Sequence, residues 1–148
     1  MGFSLTGTHV IFFIASVIVA VTVSGIFMAA TNNISTSLSD RGDRIQEQLD
    51  TEFRIINDPQ NIPNISGYYR FYLKNIGRNT LQTTNQTFQL FIDGDIIAIT
   101  NYNFSDEAIS PEEVTIIYIA NTEASVGDHT LRVVGPQAID DEFVFSLT

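Results

Sequence analysis

The sequence predicts an all-β protein: an antiparallel β-sandwich preceded by a single N-terminal transmembrane α-helix with a helical stalk. Three observations carry this expectation. An apolar run fills Val10 to Ala30, no charged side chain precedes Asp40, and from Tyr68 onward short apolar runs of period two alternate with turn signals. A chain of 148 residues has room for one modest domain beside an anchor. The expected boundaries are an anchor over 1–31, a juxtamembrane stalk over 32–50 and an extracytoplasmic sandwich over 51–148.

The run VIFFIASVIVAVTVSGIFMAA is interrupted only by the hydroxyls of Ser16, Thr22 and Ser24. As a helix it spans ~32 Å, matching the ~30 Å hydrocarbon core of a bilayer. A soluble core helix is the alternative, but an apolar surface on all sides has nothing to face in so small a domain. A secretory signal needs a basic n-region and a shorter apolar stretch. No Lys or Arg precedes this run, so the expectation is retention in the membrane. The start, MGFSLT, matches the myristoylation pattern, although a chain that already spans gains little from an acyl group. Ser16, Ala20 and Ser24, and again Gly25 and Ala29, are four apart and are candidates for helix packing in lipid.

Charge orients the chain weakly. Arg41 and Arg44 follow the span and taken alone would place the C-terminal domain inside, but they are interleaved with Asp40 and Asp43. Four N-x-[ST] sequons, at Asn33, Asn64, Asn85 and Asn103, are glycosylation candidates and point outward. The expected placement is a single-pass protein of the cytoplasmic membrane with its domain outside.

The formal charge of −10 belongs to the part after residue 39, and Lys74 is the only lysine. Such a surface repels phosphate backbones, which excludes nucleic acid as an expected partner. Cysteine is absent, removing disulfides, thiolate catalysis and Cys-ligated zinc. His9 and His129 are the only histidines, no G-x-S-x-G elbow or Gly-rich phosphate loop occurs, and neither catalytic residues nor a cofactor nor a metal is predicted. The acidic groups Asp93/Asp95, Asp106/Glu107, Glu112/Glu113 and Asp140 to Glu142 read as a solvated rim. Calcium ligation and a glycosidase carboxylate pair are the less favoured readings.

Beyond the bilayer Ile34, Leu38, Ile45 and Leu49 keep a helical spacing to about Asp50, with a solvated bend expected at Gly42 inside DRGDR. Asp58-Pro59 and Ile62-Pro63 mark a loop. Seven strands are then expected in TEFRII, GYYRFYLKN, TFQLFID, DIIAIT, EEVTIIYIA, HTLRVVG and EFVFSL, with a two-residue hairpin at Asp93-Gly94. The expected core is Phe53, Tyr69, Phe71, Leu73, Phe88, Leu90, Ile97, Ile116, Tyr118, Leu131, Val133, Phe143 and Phe145. The terminal strand, with Glu142, Phe143, Val144 and Phe145, is the candidate docking edge.

The order THVIFFIASVIVAVTVSGIF, SDRGDRIQEQL, FRIINDP, YLKNIGRNTL, FIDGD, GDHTLRVV and EFVFSL resembles the FlaG proteins of archaeal motility operons along essentially the whole chain. The resemblance implies an immunoglobulin-like sandwich, a FlaF-type partner, a stator role linking the archaellum motor to the S-layer, and homo-oligomerisation of the soluble domain. The anchor also looks like the N-terminus of archaellins and type IV pilin-like subunits, so a filament subunit is the runner-up. Prepilin processing needs a basic residue before the small one, and Met1-Gly2 lacks it. An extracytoplasmic calcium- or glycan-binding module is the third reading.

Overall fold

Uninterrupted by charge or proline, the N-terminal sequence forms one long helix in the computed structural model, which describes Gly2–Thr148, with side chains from Thr6 onward. Met1, and with it the start of the MGFSLT pattern, lies outside the described residues. The chain divides into two compact units, Met1–Arg44 and Ile45–Thr148.

Helix α1 (Gly2–Asp50) passes through Gly42 without the expected bend. One glycine costs about 1 kcal/mol relative to alanine, and the helix formers that follow it, Gln46, Glu47, Gln48 and Leu49, outweigh that. Within the second unit the helix end is tied down by backbone bonds. Asp50 O accepts the N–H of Arg78 at 2.7 Å and of Asn79 at 3.3 Å, and Glu52 O accepts those of Ile76 and Gly77 at 3.0 and 2.9 Å.

The strands are β1 (Phe53–Ile55), β2 (Asn64–Ile65), β3 (Tyr68–Asn75), β4 (Leu81–Gln82), β5 (Gln89–Ile92), β6 (Asp95–Ile96), β7 (Tyr102–Phe104), β8 (Ala108–Ile109), β9 (Val114–Ala120), β10 (Gly127–Val134) and β11 (Asp140–Leu147). Among the described residues all pairings are antiparallel. One sheet runs β1-β3-β9-β7 with β2 pairing β3, a second runs β11-β10-β5-β6, and β4 pairs β8 separately. The Asp93-Gly94 hairpin forms with φ of 54° and 92°, the left-handed pair a two-residue turn requires.

The core between the sheets is aromatic. Phe71 lies edge-to-face with Phe145 at 5.1 Å, Phe53 with Phe88 at 5.2 Å, and Phe88 packs on Phe104 at 5.4 Å. The buried Asn75 amide donates to Asn79 O at 2.8 Å and Ile109 O at 3.1 Å and accepts from Gly77 N at 3.0 Å, so its burial leaves no group unpaired.

Ile116 and Tyr118, expected in the core, are half-buried on the outer face of β9, and Ile117 and Ile119 are fully buried instead. The register explains it. Phe71 pairs with Ile117 and Leu73 with Thr115, so the inward set on β9 includes a threonine, which the apolar pattern could not signal. Tyr69 and Phe143 are partly buried against the core rather than inside it. The expected strand DIIAIT is a strand only over Asp95–Ile96, and Ile97, whose N–H still donates to Leu90 O at 2.9 Å, enters the core directly after it.

Two substitutions test this packing. Phe71→Ala removes a fully buried ring from the centre of the core and is expected to cost about 3–5 kcal/mol. Gly77→Ala sets a Cβ 2.5 Å from Asp50 O and 2.6 Å from Glu52 N, backbone atoms that cannot rotate away, and is expected to cost about 1–3 kcal/mol. Denaturation of the full chain in detergent, followed by near-UV circular dichroism of its tyrosines, measures both.

Candidate interaction surfaces

In the first unit the helix presents apolar side chains in every direction, from Val17 at 44% exposed to Phe27 at 73%. Three of its hydroxyls fold back on the helix: Ser16 donates to Phe13 O at 2.7 Å, Thr22 to Ile18 O at 2.8 Å and Thr31 to Phe27 O at 2.9 Å. Polar groups satisfied within the helix suit a medium without water. Ser16, Ala20 and Ser24 share one shallow groove, flanked by Phe12, Val19 and Val23, whereas Gly25 and Ala29 do not line it.

The stalk side chains Ile34, Leu38, Ile45 and Leu49 are each more than half exposed. In the sandwich, β11 is the outer strand of its sheet. Glu142 and Val144 are exposed, Phe143 is half-buried, and Phe145 is buried in the core, so these four residues divide between a surface and a packing role. Part of this side is occupied: Ser146 N donates to Pro59 O at 2.8 Å, and Asp141 Oδ2 accepts Ile55 N from β1 at 2.8 Å.

Opposite it, the outer face of β3 and β9 carries Tyr68, Arg70, Tyr72, Lys74, Ile116 and Tyr118. The Arg70 guanidinium lies over the Tyr118 ring at 5.6 Å, a cation–π contact across the paired strands. Lys74 pairs with Glu112. The alternation in GYYRFYLKN reveals the β3 half of this face; the β9 half is hidden by the same misassigned register that moved Ile116 and Tyr118 out of the core.

The sequons differ in kind. Asn33 is exposed on α1, Asn64 on β2 and Asn103 on β7. The Asn85 amide instead donates both hydrogens, to Ile99 O at 2.9 Å and Tyr102 O at 3.0 Å.

His129 clamps the β5–β6 turn. Its Nδ1 lies 2.6 Å from Asp93 Oδ2 and its Nε2 lies 2.8 Å from Ser125 O, while Asp93 Oδ1 accepts Thr130 N at 2.8 Å. Both partners of the ring are acceptors, so only the imidazolium satisfies both. The Asp93 hydrogen bond raises the His129 pKa above its ordinary 6.5, against the opposing effect of burial and with help from the Ser125 carbonyl, Asp93 and Asp128. The same bond, then the Thr130 N–H, holds Asp93 below its ordinary value. Among the described residues no three His, Cys, Asp or Glu side chains converge as a metal site.

A group whose folded pKa is raised stabilises below its unfolded value and loses that contribution as pH climbs through the folded one. Stability is therefore expected to fall as pH rises above 6.5 through the elevated His129 value. Asp93 contributes in the opposite range, losing its effect as pH drops below 3.8 through its lowered value. Urea midpoints against pH measure this, and His129→Gln is expected to flatten the alkaline limb.

The archaeal-type flagellin profile matches residues 2–145. The chain is 32% identical over 133 residues to a flagella-related protein G of Methanocaldococcus jannaschii, covering 86% of this chain and 85% of that one. It is 30% identical over 141 residues to a flagella-related protein G of Methanococcus voltae, covering 92% and 93%. Among solved structures it resembles the archaellum periplasmic stator protein FlaG from Sulfolobus acidocaldarius, with a TM-score of 0.52 and 17% identity over 64% of this chain and 99% of that one. At that identity the likeness speaks to the fold.

Proposed function

Because the chain belongs to the archaeal-type flagellin family and is of the FlaG type, we propose that this archaellum component is a membrane-anchored stator-type protein that links the motor to the S-layer together with a FlaF-type partner. The observation that carries the reading is that the family match runs through the apolar helix and the sandwich together. Its role is mechanical rather than catalytic. The span over Val10 to Ala30 holds one end in the cytoplasmic membrane, the stalk to Asp50 sets a height, and the sandwich, outside the cytoplasm, transmits load through protein contacts. The groove at Ser16, Ala20 and Ser24 is the surface where a second membrane helix approaches closely. The exposed residues Glu142 and Val144 at the outer strand are the docking candidates on the domain, and self-association of the domain supplies further contacts.

The family profile is that of a flagellin, which favours as a second reading a filament subunit. Location separates the two: a stator component is expected in the envelope fraction and a subunit in sheared filaments. For the stator reading, crosslinking in native envelopes is expected to attach a FlaF-type protein or the S-layer protein. Recovery of cytoplasmic proteins alone overturns it.

A further inference from the structure

We propose that Asn64, beside the turn of the β2–β3 hairpin, is the N-glycan acceptor of this protein, and that Asn85 serves the fold instead. The inference rests on the sandwich lying outside the cytoplasm. In N-glycosylation the amide nitrogen of the sequon asparagine bonds to the anomeric carbon of an oligosaccharide carried on a polyprenyl phosphate. The bond from that carbon to the phosphate oxygen breaks, the lipid phosphate leaves with the electron pair, and one amide proton passes to a base of the transferase. The acceptor must therefore offer an uncommitted amide and a free hydroxyl two residues on, on backbone that can leave its neighbours, with space for a bulky sugar.

Each sequon meets these demands differently. At Asn85 both amide hydrogens are taken by Ile99 O and Tyr102 O, and the Thr87 hydroxyl is bound to Gln82 O at 2.6 Å. At Asn103 the amide is uncommitted, but the Ser105 hydroxyl accepts Ile116 N at 3.0 Å, donates to Asp106 and meets Thr115, and β7 is paired to β9. Asn33 sits inside α1, three residues past the end of the apolar run, where the helix fixes the backbone and the bilayer is close.

Asn64 is free of the side-chain obstacles, and its strand pairing is confined to the two residues of β2. Asn64, Ile65, Ser66, Gly67 and Tyr68 are all exposed, and neither the Asn64 amide nor the Ser66 hydroxyl has a hydrogen-bond partner among the described residues. The turn at Ser66 and Gly67, with φ of 58° and 84°, projects the segment as a tip, and β2 contributes only two paired residues. Beyond that pairing the segment is held by Arg70 N donating to Pro63 O and Asn121 N donating to Gly67 O, both at 2.9 Å, so few backbone bonds must break for the acceptor to be presented.

The full chain purified from native envelopes tests this by glycopeptide mass spectrometry. Trypsin releases Ile55–Arg70, in which Asn64 is the only sequon, while Asn85 and Asn103 fall together in Asn79–Arg132 and separate on further cleavage at aspartate. A sugar mass on Ile55–Arg70, lost in Asn64→Gln without a change in denaturation midpoint, is the expected result. A bare Asn64, whether the other sequons are occupied or not, overturns the assignment. Labelling intact cells with an impermeant amine reagent keeps this apart from the function. Lys74, the sole lysine, has a side chain 31% exposed. A labelled Lys74 with a bare Asn64 sinks the glycan site alone, and a Lys74 that labels only after the cells are lysed sinks the extracytoplasmic reading.

Discussion

Everything in this chain depends on an apolar helix that the protein itself does not cover. Between Val10 and Met28 the large side chains are 44–73% exposed, and the apolar stretch is not buried within the protein. Exposing such groups to water costs about 1.5–3 kcal/mol for each large side chain, more in sum than a domain of this size has to spare. Insertion in lipid would remove that cost, and the local chemistry suits it: the backbone is bonded within the helix and the hydroxyls of Ser16 and Thr22 fold back on it. The absence of charge before Asp40 belongs to the same constraint.

The second unit meets the opposite demand, stability in water. Its strands are short, but an interlocked set of phenylalanines fills the space between the sheets, and the buried Asn75 amide is paired. Strand edges attract unwanted pairing. Here Asp141 and the Pro59 loop occupy part of the side shared by β1 and β11, leaving Glu142 and Val144 as the open stretch. The two outer faces differ in chemistry. One carries Tyr68, Arg70, Tyr72 and Lys74, and the other Asp140, Glu142 and Val144 around Arg132, whose Nε bonds Asp140 at 2.7 Å. An acidic protein that gathers basic and aromatic residues on one sheet has a surface suited to specific rather than general attraction.

The sandwich, its antiparallel order and the Asp93-Gly94 turn were legible because they rest on local rules: period-two alternation and the left-handed preference of Asp and Gly. What stayed hidden depends on partners distant in sequence. On β9 the run Ile116 to Ile119 is apolar on both faces, and only its pairing with β3 decides that Ile117 and Ile119 turn inward. Strands β4, β7 and β8 are too short for any pattern, and the burial of their Leu81, Tyr102 and Ile109 is a tertiary fact. Gly42 weakened the expectation of a continuous helix, yet one residue of poor propensity does not outweigh its neighbours. The sequons looked alike in the sequence; the carbonyls of Ile99 and Tyr102 that engage Asn85 become neighbours only in the fold.

Whether lipid covers the Val10 to Ala30 segment is decided by extraction of isolated membranes with alkaline carbonate. Such a wash strips proteins held by charge or by protein contacts and leaves those that span the bilayer. A spanning helix keeps the full chain in the membrane pellet until detergent is added. Release into the carbonate supernatant would mean that the apolar helix is covered by protein rather than by lipid.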